Sequence, residues 1–179
     1  MSNGQPRDAA KADADARARI QSGNPQADEI LCGGFPPSSI NIVMGQPGTG
    51  KTIFAEQLLF HNATGDRPSL YVTTLSEPLS KVVTFVQRFT FFEADRLGQD
   101  IQYEDLGAAL AEHGPDALID WLDDAIKTRS PKILVIDSFR AIHDLAMSPE
   151  DVRRFISRFA GLLSTELDVL ARFVIERES

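Results

Sequence analysis

An eight-residue glycine-rich segment constrains the fold of this 179-residue chain more than any other feature. It follows the pattern G-x-x-x-x-G-K-S/T and consists of Gly45, Gln46, Pro47, Gly48, Thr49, Gly50, Lys51 and Thr52. Backbone N–H groups can surround a phosphate chain only where the main chain turns sharply and approaches closely, which glycine permits. The pattern predicts that these residues cradle nucleotide phosphates, with the Lys51 amine on the β- and γ-phosphates and the Thr52 hydroxyl on Mg²⁺.

A strand is predicted before this segment and a helix after it, which is the arrangement that phosphate binding requires. Residues 39–44 are a short apolar run that predicts a buried strand, and residues 52–61 carry apolar side chains at helical spacing. The first N–H groups of a helix are unpaired and partly positive. A helix that begins inside the segment therefore adds to its attraction for phosphate.

An acidic residue ends another apolar strand. Ile133–Ile136 is the strongest strand prediction in the chain, and Asp137 follows it directly. By itself, an aspartate after a strand is more often a helix cap or a turn residue. Together with the glycine-rich segment, Asp137 is predicted to hold Mg²⁺ through a water beside Thr52.

Strands and helices alternate along the rest of the chain. The pattern predicts further strands at 70–75, 132–137 and 169–175, a weaker strand or turn near 100–106, a short helix near 26–31, and helices at 79–89, 116–127 and 149–167. Continuously apolar strands indicate a sheet covered on both faces, as in parallel sheets with crossover helices. We therefore expect an α/β fold of three layers, with a mainly parallel sheet and helices on both faces.

Composition limits the function classes. The chain has 18 basic and 26 acidic residues and a net charge of −8, which argues against sequence-independent nucleic-acid binding. The single cysteine, Cys32, excludes an internal disulfide framework and a zinc site built from several cysteines. No apolar run approaches the ~20 residues of a membrane span. We expect a cytoplasmic protein with no membrane partner. We also expect residues 1–19 to form a disordered leader ahead of the domain.

Several segments together resemble a known family. Residues 19–23 and 28–36, with Ser39 and the glycine-rich segment, are similar to the beginning of a KaiC/RadA-type ATPase domain of the RecA superfamily. Residues 70–78 resemble its second strand and acidic turn, and residues 133–138 resemble its aspartate-ending strand. The resemblance covers residues 20–176. It implies an ATP- and Mg²⁺-dependent P-loop NTPase whose last strand inserts between the strand before the glycine-rich segment and the Asp137 strand, with the 70–75 strand beyond the latter.

The resemblance also implies a catalytic carboxylate. In the family a glutamate, often a pair, follows the second strand and orients the attacking water. Glu77 fits the second position of that pair and joins Lys51 as a catalytic candidate, whereas Ser76 occupies the first position. A hydroxyl cannot replace a carboxylate as a base at neutral pH, so we expect hydrolysis to be slow. A helix N-terminal carboxylate is the alternative interpretation of Glu77.

The end of the chain carries a further expectation. In the family, more strands follow, together with basic residues that reach into the site of a neighbouring subunit. Because this chain stops at Ser179, we expect a domain, residues 20–179, that lacks its C-terminal strands and leaves the 40–44 strand at an open sheet edge. The full-length form is expected to be a homo-oligomeric ring, such as a hexamer. Glu176, at the end of the last strand, is a candidate sensor of the γ-phosphate.

Three functions stay open at this point. The first is a slow ATPase in signalling or regulation, with a protein partner. The second is a nucleotide-binding switch with little turnover, in which ATP governs assembly. The third is a RadA-like DNA-recombination ATPase, against which the acidic charge and the absence of zinc-ribbon cysteines both count.

Overall fold

The computed structural model describes residues 19–74, 79–145, 148–165 and 170–176. The strands in these ranges are β1 (Ile40–Gly45), β2 (Ser69–Thr73), β3 (Ile101–Asp105), β4 (Ile133–Asp137) and β5 (Leu170–Glu176). The helices are α1 (Pro25–Ile30), α2 (Lys51–Asn62), α3 (Leu79–Val86), α4 (Gly107–His113), α5 (Pro115–Arg129), α6 (Phe139–Leu145) and α7 (Pro149–Thr165), and a 3₁₀ turn covers Ala94–Arg96. The predicted leader lies outside these ranges except for Arg19.

The strands form one parallel sheet in the order β1-β5-β4-β2-β3. The predicted α/β class and the predicted strand order are confirmed: β5 inserts between β1 and β4, and β2 lies beyond β4. All carboxyl ends therefore meet at one edge of the sheet, which is where parallel α/β folds bind their ligands.

Apolar clusters cover both faces of the central strands. One face carries Leu70, Val72, Leu134 and Ile136, which pack against helices α4 to α7. The other face carries Tyr71, Ile133 and Val135, which pack against α2 and the N-terminal segment. Because successive side chains point to opposite faces, burial on both faces requires the continuous apolar runs of β2 and β4.

The expectation of strands buried on both faces is wrong for β1. Ile40, Ile42 and Met44 are 36%, 55% and 66% exposed. Within the described residues β1 pairs only with β5, so it lies at the sheet edge, as expected. Ile42 is in register with Phe173, which in turn is in register with Ile136. It thus shares a face with Ile136, but it lies beyond the helices that cover Ile136.

Two of the helices were not predicted. Helices α4 and α6 have seven residues each, too few for a clear helical periodicity. The helix predicted at 79–89 ends at Val86, and hydrogen-bonded turns follow it. The helix predicted at 116–127 is the centre of α5, and its predicted apolar face is buried.

The N-terminal segment (residues 19–39) is attached to α2. The main chains of Ile20 and Phe35 exchange two hydrogen bonds of 2.8 Å, and the Asn62 side chain donates to the Gln21 carbonyl at 2.7 Å. Gly34 has a φ of +115°, and a Cβ there would lie 2.4 Å from the Ile20 carbonyl oxygen. Only glycine fits this close approach. The segment thereby closes the core on the α2 face.

Candidate functional site

The glycine-rich segment connects β1 to α2 at the carboxyl edge of the sheet. Gly48 and Gly50 have φ values of +77° and +85°, in the left-handed region that glycine adopts without strain. A Cβ on Gly45 would lie 2.8 Å from the Thr49 hydroxyl, which itself donates to the Gln46 carbonyl at 2.9 Å. A side chain at position 45 would therefore force the Thr49 hydroxyl to move.

The N-terminus of α2 opens toward this loop. Gly50 is its N-cap residue and has no side chain that could accept a hydrogen bond from the first turn. The first N–H groups of a helix have no partner inside the helix. Without a capping side chain, they suit an anion such as a phosphate group.

Lys51 begins α2 and is only 7% exposed. Its Nζ donates to the Gln46 carbonyl at 2.8 Å, so the side chain folds back across the loop. The ammonium group is thus held beside the backbone that the pattern assigns to phosphate. A strongly hydrated cation kept out of water in this way is well placed to meet an anionic ligand.

Thr52 and Asp137 meet although 85 residues separate them. The Thr52 Oγ1 donates to Asp137 Oδ2 at 2.9 Å. Hydroxyl and carboxylate oxygens are the hard ligands that Mg²⁺ prefers, and Mg²⁺ takes few protein ligands because it keeps waters and binds substrate phosphates. The donor set therefore fits Mg²⁺ with a nucleotide. Within the described ranges, no group of three or more His, Cys, Asp or Glu side chains offers a metal site.

A tyrosine missed by the sequence analysis also reaches this carboxylate. The Tyr71 hydroxyl donates to Asp137 Oδ2 at 2.6 Å. On the neighbouring strand, the Tyr103 hydroxyl donates to Glu56 Oε2 at 2.7 Å, and the two tyrosine rings lie 5.4 Å apart. The remaining Glu56 oxygen, Oε1, is buried and has no hydrogen-bond partner among the described residues. These four side chains, Tyr71, Tyr103, Glu56 and Asp137, form what we call the buried polar network.

Burial sets the protonation states in this network. Desolvation raises the pKa of Glu56 to about 8; the Tyr103 hydrogen bond lowers it, and the Asp137 charge raises it further. Burial, followed by the charges of Asp137 and Glu56, raises the pKa of Tyr71 well above its usual value. At neutral pH, Glu56 is therefore largely uncharged and Tyr71 remains a hydrogen-bond donor.

Two cavities adjoin the glycine-rich loop. The larger, about 420 Å³, lies between Thr52 and α3 and is lined by Lys81, Val82, Thr84, Phe85 and Arg88. The smaller, about 180 Å³, is lined by Gly48, Gly50, Lys51, Thr52, Ile53 and Phe85. The space beside the loop thus contains three cationic side chains, Lys51, Lys81 and Arg88.

The candidates Glu77 and Glu176 cannot be placed in this site by their side chains. Ser76 and Glu77 lie outside the described residues. The backbone of Glu176 is in register with Gly45, next to the start of the glycine-rich loop, but its side chain is outside the description. Their roles stay predictions.

The parallel strand order and the loop at the carboxyl end of β1 agree with a comparison against protein families. Residues 20–179 match the family model described as ATPase, KaiC. The chain belongs to this KaiC ATPase family. Membership implies nucleotide binding, and it confirms the resemblance drawn from the N-terminal segment and the glycine-rich loop.

Individual relatives agree with this family. A UPF0273 protein of Thermotoga maritima is 41% identical over 61 residues, 34% of this chain and 25% of the relative. A UPF0273 protein of Methanopyrus kandleri is 28% identical over 162 residues, 82% of this chain and 62% of the relative. The circadian clock oscillator protein KaiC of Prochlorococcus marinus is 29% identical over 168 residues, which are 89% of this chain and 33% of the relative. The chain spans less than two thirds of the length of each.

The pKa of Glu56 predicts a pH dependence of stability. Its carboxyl group has a pKa of about 8 in the folded chain and near 4.5 when unfolded, so between these values the folded state binds more protons. Stability therefore falls as pH rises through this window, with a slope approaching about 1.4 kcal/mol per pH unit. Glu56→Gln removes this contribution.

Urea unfolding from pH 5 to 9 measures the effect as the difference between the wild-type chain and Glu56→Gln. We expect the wild-type chain to lose stability relative to the variant up to about pH 8, and the difference to level off above it. The same substitution at the exposed Glu29 is the matched control. Parallel pH profiles for the wild-type chain and Glu56→Gln would contradict the assignment.

Proposed function

We propose that the chain is an ATP- and Mg²⁺-binding ATPase domain that hydrolyses the γ-phosphate slowly and acts in signalling or regulation. The observation that carries the proposal is the 2.9 Å hydrogen bond between Thr52 and Asp137 beside the glycine-rich loop. This bond brings together the two oxygen donors that a Mg²⁺–nucleotide site needs. They lie next to the backbone that suits phosphate. The choice of ATP follows from the family description.

In this proposal the loop binds the phosphates. The backbone N–H groups of Gly45–Thr52 surround the phosphate chain, and the α2 N-terminus adds its partial positive charge. Lys51 leaves the Gln46 carbonyl to contact the β- and γ-phosphates. Lys81 and Arg88 add positive charge at the cavity beside Thr52.

Thr52 and Asp137 would hold the metal. A bound Mg²⁺ supplies charge neutralisation at the transferring phosphoryl group. Thr52 would contribute its hydroxyl oxygen directly, and Asp137 would act through a water. The half-buried position of the carboxylate at the end of β4 strengthens its attraction for a cation, since fewer waters screen it.

We assign the positioning of the attacking water to Glu77. β2 ends in register with Asp137, so the chain that leaves β2 starts at the same edge of the sheet. Glu77 follows in this stretch of sequence. Because Ser76 replaces the other carboxylate of the family pair, we propose that turnover is slow.

The regulatory role rests on the family and on one relative's name, the circadian clock oscillator protein KaiC. We propose a cytoplasmic protein whose full-length form is a homo-oligomeric ring. No helix in the described ranges is long and apolar enough to cross a membrane.

A second candidate is a nucleotide-dependent assembly switch with little or no hydrolysis. The serine at position 76 favours it, because it removes a carboxylate from the acidic turn. DNA recombination is less well supported, since the net charge of −8 opposes binding to a phosphate backbone.

Lys51→Ala tests the phosphate site. The variant loses charge-assisted contacts to two phosphates, each about 1.5–3 kcal/mol, so the affinity for Mg-ATP falls by about 100-fold or more. Isothermal titration calorimetry measures this change. Lys127→Ala is the matched control, because Lys127 is exposed and pairs with Asp123 on α5. Equal affinity in wild type and Lys51→Ala would refute the site.

Glu77→Gln tests catalysis separately from binding. Loss of a positioned base lowers the rate of phosphate release by about 10²-fold or more, while the affinity for Mg-ATP stays unchanged. A phosphate-release assay at saturating ATP measures it, with Glu112→Gln on the exposed face of α4 as the control. Unaltered release in Glu77→Gln would exclude Glu77 from catalysis and favour the switch.

A further inference from the structure

We propose that Tyr71 is a positioning residue for Asp137, and that its hydroxyl sets the affinity of the site for Mg²⁺. The inference rests on the proposed function, because it takes Asp137 as the carboxylate that holds the metal. It concerns a residue that no sequence pattern pointed to.

Two hydroxyl groups converge on one oxygen of Asp137. Thr52 approaches Oδ2 from α2 at 2.9 Å, and Tyr71 approaches the same atom from β2 at 2.6 Å. Hydrogen bonds from a hydroxyl to a carboxylate are short and about twice as strong as neutral ones. The carboxylate is thus oriented by two elements whose contacting residues lie 85 and 66 positions away from it in sequence.

Tyr71 can act as a fixed anchor because its own position is tightly determined. It is 1% exposed, it lies on the strand next to β4, and its ring contacts the ring of Tyr103. Its backbone is in register with Val135, two residues before Asp137. A side chain held on this face reaches forward along β4 to the carboxylate.

Packing alone does not account for the hydroxyl. A phenylalanine would fill the same space in the apolar cluster of Ile133, Val135 and α2. Burying a hydroxyl is unfavourable unless it has a hydrogen-bond partner. Here the partner is the carboxylate that ends β4. The hydroxyl therefore connects the buried Tyr71 side chain to the proposed metal site.

Tyr103 provides a matched comparison within the same network. It lies directly opposite Tyr71 on β3 and is partly buried, but its hydroxyl donates to Glu56 rather than to Asp137. Removal of either hydroxyl therefore deletes one partly buried hydrogen bond. Only removal of the Tyr71 hydroxyl takes a hydrogen bond away from Asp137.

Removal of the Tyr71 hydroxyl should weaken metal binding more than nucleotide binding. Residues that orient a metal-holding group from behind typically change metal affinity by about 10–100-fold when they are removed. Without the Tyr71 hydroxyl, the Asp137 carboxylate can rotate away from the orientation that faces the Thr52 hydroxyl. Among the described residues, Lys51 and the Tyr71 hydroxyl donate to different partners, the Gln46 carbonyl and Asp137.

Tyr71→Phe and Tyr103→Phe separate these effects. Electron paramagnetic resonance measures Mn²⁺ binding to the chain saturated with ATP, and calorimetry measures ATP binding without a divalent metal. We expect Tyr71→Phe to weaken Mn²⁺ binding about 10-fold or more, and to leave metal-free ATP affinity within about twofold of wild type. Tyr103→Phe should leave both within about twofold.

Asp137→Asn distinguishes failure of this inference from failure of the proposed function. If Asp137→Asn weakens Mn²⁺ binding but Tyr71→Phe binds as wild type does, the positioning role is wrong and the proposed site stands. Equal losses in Tyr71→Phe and Tyr103→Phe would also overturn the positioning role. If the wild-type chain with ATP binds no Mn²⁺, or if Asp137→Asn has no effect, both proposals fail.

A second measurement is made on the wild-type chain, and one variant serves only to assign its resonances. The chain contains two tyrosines, so labelling with ¹³Cζ-tyrosine gives two resonances, which Tyr103→Phe assigns. Adding Mg²⁺ to the ATP complex should shift the Tyr71 resonance and leave that of Tyr103 in place. A stationary Tyr71 resonance, or equal shifts of both, would overturn the proposal.

Discussion

The hydrogen bond between Thr52 and Asp137 depends on the whole order of the sheet. Because β5 lies between β1 and β4, the strands that precede these residues are two strand spacings, about 10 Å, apart. The tight loop after Gly45 and the start of α2 carry Thr52 across this gap to the end of β4. A different strand order would change this distance, so the position of Thr52 relative to Asp137 depends on the order of the sheet.

Behind this contact, the sheet contains polar groups where a core is usually apolar. Glu56 and the two tyrosines bring carboxyl and hydroxyl groups together there, and Tyr71 contacts Asp137. Desolvation keeps Glu56 largely neutral at pH 7, so Asp137 is the main negative charge in this network. The negative charge of the network thus lies mainly at the end of β4, where the proposed Mg²⁺ would bind.

The sequence determines some of these features by residue type and others only through the fold. The loop and Asp137 could be predicted because phosphate and Mg²⁺ chemistry dictates glycine, lysine, hydroxyl and carboxylate at fixed places. Tyr71 could not, because its contact depends on the register of β2 with β4, and a tyrosine in an apolar strand looks like core. The exposure of Ile42 likewise follows from the position of β1 at the sheet edge, which no local pattern specifies.

The central claim is that a Mg²⁺–nucleotide binds where the glycine-rich loop meets Asp137. A crystal structure of the chain with Mn²⁺ and a non-hydrolysable ATP analogue, with anomalous diffraction to locate the metal, tests it most directly. The account predicts a Mn²⁺ peak about 2.1 Å from Thr52 Oγ1 on the side of the Asp137 carboxylate, with the phosphates in the Gly45–Thr52 loop. A nucleotide or metal bound elsewhere, with the loop empty, would contradict it.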